Sequence, residues 1–182
     1  MSATENTLAK RLGITAPESP LKWKLRRLES RFPSHGAGTH EAWLVDVANS
    51  RGATIVRRQE LPLQFAVPEI ELSNEELVVG VLLPCQADEP QMLRLSAQLI
   101  SRGEIDAQKL LTLAHREGAL RVLANLATLA LRVAPQHPVW RAIARGASGA
   151  RPLRENVLHW TRLAEPVIPK ANVHQGEWRL VA

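Results

Sequence analysis

The histidines, the single cysteine and the carboxylates are the first residues to weigh for chemistry. The histidines are His35, His40, His115, His137, His159 and His174. None falls in an H-E-x-x-H or Cys/His spacing, so no zinc site is read. His115 and Glu117 are two residues apart and face different sides of a helix. Glu155 and His159 are four apart and can meet as a surface pair. Acid–base chemistry there needs a third group, and none is visible. Cys85, in "LLPCQADEP", has no base beside it and reads as a half-buried thiol. As the lone cysteine it forms no internal disulfide. There is no phosphate loop and no G-x-G-x-x-G. The expectation is a non-enzymatic chain with no catalytic residues, no metal and no cofactor.

A different chemistry is offered by "SPLKWKLRRLESRFPS", residues 19–34. At helical spacing, Leu21, Leu25, Leu28 and Phe32 share one stripe. Trp23 lies nearly opposite them, with Arg26 and Arg27 as its i+3 and i+4 neighbours. Ser30 continues the same outer face. An indole flanked by guanidinium groups suits phosphates and bases: arginine supplies forked donors and tryptophan a stacking plane. The plain alternative is an ordinary charged outer face, with Trp23 docked on the body beside an arginine.

The elements that position this face are mostly helical. Thr4 to Leu12 reads as a short helix closed by Gly13. Ser19 and Pro20 cap and open the next, and Pro33 with "SHGAG" ends it. "EAWLVDVANSRGATIVRRQEL" reads as a β-hairpin, because Trp43, Val45 and Val47 alternate and "NSRG" suits a turn. A helix from His40 to Ser50 is the competing reading. Pro62 and Pro68 make residues 61–72 an extended linker. Ser73 and Glu76 form a capping box before "LVVGVLL", which Pro84 stops. Pro90 opens a helix that runs to Arg102, and Asp106 caps another. "ALRVLANLATLALRV" is apolar nearly all round and reads as the buried central helix. A short helix over Val139 to Arg145 follows, and one more is suggested in "LRENVLHWTRLAEP". The fold class is mainly α: a helix pair with a hairpin over residues 1–60, the linker, an antiparallel helical body over 73–165, and an irregular tail over 166–182.

The first part resembles a bacterial helix-turn-helix or winged-helix DNA-binding module. Leu8, Ala9, Leu12, Gly13, Ile14 and Thr15 match its first helix and turn. Leu21, Leu25 and Leu28 match the second helix. The resemblance implies that the helix from Pro20 enters the major groove, with Lys22, Trp23 and Arg26 facing bases. It also implies that the hairpin turn carries Arg51 to the minor groove or backbone. The nucleic-acid-binding set is then Lys22, Trp23, Arg26, Arg27, Ser30 and Arg51.

Composition bounds the rest. Hydrophobic residues make up 45% of the 182, enough for a packed interior. No apolar run reaches the length of a membrane span, and the start lacks a secretory h-region, so a cytoplasmic protein is expected. The net charge of +5 is unevenly spread. Residues 61–90 hold Glu69, Glu71, Glu75, Glu76, Asp88 and Glu89 with no Lys or Arg, between two basic parts. Two functions fit. One is a DNA-binding regulator whose helical body serves dimerisation or effector contact, with duplex DNA and a second copy as partners. The other is a helical protein–protein adaptor or assembly subunit.

Overall fold

A serine and a proline start the first described helix. In the computed structural model, which describes residues 19–56, 65–85, 89–153 and 158–167, the Ser19 hydroxyl accepts from the Lys22 backbone N–H at 3.1 Å. Pro20 takes the first helical position, where no N–H is needed, and α1 spans Pro20–Arg31. Leu21, Leu25 and Leu28 are its buried residues. The expected helix from Thr4 to Leu12, the other half of the helix-turn-helix pair, lies outside the described residues.

The β-hairpin expected after α1 is not there. α2 is a helix over His40–Ser50, capped by Thr39, whose hydroxyl accepts from the Ala42 N–H at 3.2 Å. Trp43, Val45 and Val47 do alternate in sequence, but Leu44, Asp46 and Ala48 between them are buried too. A helix sunk on most sides loses its amphipathic period. "NSRG" ends this helix instead of turning a hairpin. Gly52 takes φ of 85°. Its N–H bonds to the Asn49 carbonyl at 3.0 Å, and the Ala53 N–H bonds to the Ala48 carbonyl at 3.0 Å. These are the paired closing bonds of a Schellman end. The β-branched run Thr54–Val56 pairs with a side chain rather than a strand. The Gln98 amide oxygen accepts from the N–H groups of Thr54 and Ile55 at 2.7 and 3.0 Å. Its NH2 donates to the Thr54 hydroxyl at 3.0 Å. No strand occurs among the described residues.

Of the expected linker, residues 65–72 contain neither helix nor strand. They are nonetheless anchored, because Val67 and Leu72 join the core. The capping box forms as read: Glu76 N–H donates to the Ser73 hydroxyl at 3.3 Å, and Ser73 N–H donates to the Glu76 carboxylate at 2.9 Å. It opens α3 (Asn74–Cys85), which continues one residue past Pro84. Then come α4 (Pro90–Arg102), α5 (Ala107–Arg116), α6 (Leu120–Val133) and α7 (Pro138–Gly146). Asp106 caps α5 by accepting from the N–H groups of Gln108 and Lys109. A 3-10 turn over Trp160–Leu163 and a short α8 (Ala164–Val167) complete the described elements.

The central helix is α3, not α6 as its composition suggested. Leu77, Val78, Val79, Val81 and Leu82 are all 1% exposed or less, and α1, α2, α4 and α5 pack around them. α6 keeps a wet side with Arg121, Thr128 and Arg132 exposed. One hydrophobic cluster runs from Leu21 to Val167, so α1 shares its core with the body.

Candidate nucleic-acid interface

The stripe of Leu21, Leu25 and Leu28 fixes the rotation of α1, and rotation decides what faces water. With leucines against α2 and α3, the outer arc presents Lys22, Trp23, Arg26, Arg27 and Ser30, all exposed. Trp23 is 58% exposed, a large apolar area for a surface side chain. The Arg27 guanidinium lies over its ring, 5.1 Å from the centroid, within cation–π range. At 100° per residue, Lys22 and Arg26 fall on the flank of Trp23 opposite Arg27. The Ser30 hydroxyl donates to the Arg26 carbonyl at 3.1 Å.

Two further cations of α1 are turned to carboxylates. Lys24 meets Glu76 at 2.7 Å. Arg31 meets both oxygens of Glu71 at 3.1 Å, a forked pairing. Burial raises the Glu76 carboxyl, but Lys24 and the Ser73 N–H outweigh it and hold it below its ordinary value. So the basic character of α1 is sorted. One flank is spent on the acidic segment.

Arg51 does not join this group. It sits at the C-terminal cap of α2 and reaches inward to the Asn74 side-chain oxygen at 2.8 Å and to the carbonyls of Val67 and Leu72. Burial lowers its pKa, opposed by Glu69, Glu76 and Glu75. With the hairpin replaced by a helix end, Arg51 becomes a strut between α2, the 65–72 segment and α3.

Two clefts adjoin these residues. The larger, about 460 Å³, includes Arg51, Glu69, Asn74, Gln98, Arg102 and Glu104 in its lining. Arg51 and Gln98 there are engaged in backbone bonds, and the remaining charged lining is Glu69, Arg102 and Glu104. The smaller, about 180 Å³, lies beside the outer arc between α1, α2 and α3. Its floor is Leu25, Gly80 and Leu83, and its rim is Lys22, Arg26 and His40. His40 contacts Glu29 at 2.7 Å and stacks on Trp43 with centroids 5.8 Å apart. Sequence reasoning missed this cleft, because His40 and Gly80 approach α1 only through tertiary packing.

Two of the other residues weighed for chemistry have structural partners. His159 caps the 3-10 turn, accepting from the Thr161 N–H at 3.4 Å. The Glu117 carboxylate accepts from Arg116 at 3.0 Å. Glu155 lies outside the described residues. Among the described residues no group of three or more His, Cys, Asp or Glu could hold a metal ion, and no helix is long and apolar enough to cross a membrane. Compared with known proteins, the chain matches no family model, no curated protein and no solved structure.

Proposed function

We propose that this chain is a DNA-binding protein that contacts its target with the outward arc of α1. The observation that supports it is the half-exposed Trp23 under Arg27, with Lys22 and Arg26 along its other flank. An indole held at the surface beside cations is a costly arrangement for a merely solvated face. It is a useful one for phosphates and base planes. In the helix-turn-helix reading α1 is the helix offered to DNA, and the body that grips its leucines sets its angle. The role that follows is a regulator whose body carries dimerisation or effector contacts. The test is binding to mixed-sequence DNA at low and moderate salt. The double variant Arg26→Glu/Arg27→Glu serves as control. Binding that falls with salt and is lost in the variant is expected. No binding at low salt, or an unaffected variant, overturns the reading.

A second reading, a protein–protein adaptor, draws on one further observation. Ile70 is 96% exposed in the turn before α3 and, with Trp23, is a large apolar side chain left in water among the described residues. Such side chains mark contact surfaces when they cluster. Self-association through this end of the molecule makes sedimentation depend on concentration, and Ile70→Asp then abolishes that dependence.

A further inference from the structure

Resting on the nucleic-acid reading above, we infer that the α1 site takes unpaired bases: its partner is single-stranded nucleic acid, or a single-stranded part of a longer one. Three observations carry this. First, the group at the centre of the arc is Trp23, whose only polar atom is one N–H donor. It is poorly equipped to read base-pair edges in a groove, which need paired donors and acceptors. Its strength is its ring face. A duplex covers its base faces with neighbouring bases, whereas a single strand leaves them open for stacking.

Second, the indole is already set up as a platform. Arg27 covers one side at 5.1 Å, while the side chain as a whole stays 58% exposed. The flank away from Arg27 leads towards Lys22 and Arg26. A strand crossing α1 can stack a base on Trp23 and carry its next phosphate to those cations.

Third, Lys22 and Arg26 are also the rim of the cleft of about 180 Å³ whose floor is Leu25, Gly80 and Leu83. An apolar floor under a cationic rim is complementary to a flat ring attached to a phosphate. It does not suit a phosphate alone, which would gain nothing from leucine. A base reaches that floor only when it is not paired. Gly80 keeps α3 close to α1 there, since a Cβ on it would come within 2.8 Å of the Leu25 Cδ1.

The experiment is fluorescence anisotropy on the full chain with three labelled probes: a short mixed-sequence single-stranded DNA, the same sequence as a duplex, and poly-glutamate of matched charge. The single strand is expected to bind about tenfold more tightly than the duplex. Trp23→Ala is expected to weaken single-strand binding about tenfold and so remove that preference. Trp23→Phe, which keeps a ring face, is expected to restore most of it. Trp23 is a surface residue, and thermal melts of each variant check the fold. Duplex binding equal to or tighter than single-strand binding overturns the inference and leaves the DNA-binding reading standing. Failure of both DNA probes at low salt overturns both. Poly-glutamate bound as tightly as the single strand, with Trp23→Ala without effect, also overturns it, because charge alone then explains the affinity.

Discussion

Glu75 is a carboxylate that this fold requires in its ionised form. The residue is 5% exposed. Burial by itself would raise its carboxyl, but bonds from Lys109 and from the Asp106 N–H outweigh burial and bring it from 4.5 to about 2. Lys109 approaches to 2.7 Å, and the Asp106 N–H donates at 3.0 Å. The start of α5 is thereby tied to the first turn of α3. A folded pKa below the unfolded one means that the stabilisation is fully present above about 4.5 and lost as pH falls towards 2. Lys109 is half in solvent, so the contribution at neutral pH is on the order of 1–2 kcal/mol after screening. Glu75→Gln is expected to cost about that much in denaturant unfolding at neutral pH. Its difference from the parent should shrink as pH falls through the same window. A constant difference at every pH would mean that the carboxylate charge plays no part. Nothing in sequence singled out Glu75. Its neighbour Glu76 was readable because its cap partner is three residues away, whereas Lys109 reaches Glu75 from a different helix.

Among the elements, what was legible follows the range of the forces involved. Ser19-Pro20, Ser73 with Glu76, and Asp106 act within one turn, and each helix start they announce is present. The α2 segment was misread because its cues are not local. Whether Thr54 and Ile55 pair as a strand depends on Gln98, which arrives from α4. Likewise α3 and α6 are both apolar runs, and only the placement of α1 and α2 decides which is enclosed. Arg51 is the strongest link of this kind. Its guanidinium closes three bonds to the 65–72 segment and Asn74. Arg51→Ala removes donors from the Val67 and Leu72 carbonyls and is expected to cost roughly 3 kcal/mol. Arg51→Lys is expected to recover little, since an ammonium cannot reproduce the planar fork. Equilibrium unfolding checks both. A lysine variant as stable as the parent would show that charge, not geometry, holds the loop.

At the scale of the whole molecule, the uneven charge in the sequence becomes a division of surfaces. The acidic run from Glu69 to Glu76 lies against α1, where Glu71 and Glu76 take Arg31 and Lys24. Glu75 takes Lys109 on the other side. The acidic segment therefore shields one flank of α1, and the net positive face is narrower than the count of basic residues implied. This shielding is open to a direct test. Glu71 and Arg31 are both partly exposed, at 31% and 49% of their side chains, so their pair contributes little to stability, up to about 1 kcal/mol. Its effect on a polyanion is larger in proportion, because it cancels a cation at the edge of a small set. Glu71→Gln releases Arg31 and removes a negative charge beside the arc. Affinity for single-stranded DNA at low salt is expected to rise several-fold, and the salt slope to steepen by up to about 0.7 as one more phosphate contact forms. Glu75→Gln removes the same charge in α3's first turn, beside Lys109, and is expected to change DNA affinity less. Equal gains from the two substitutions would mean that the polyanion senses only net charge, and that α1 has no special part in holding it.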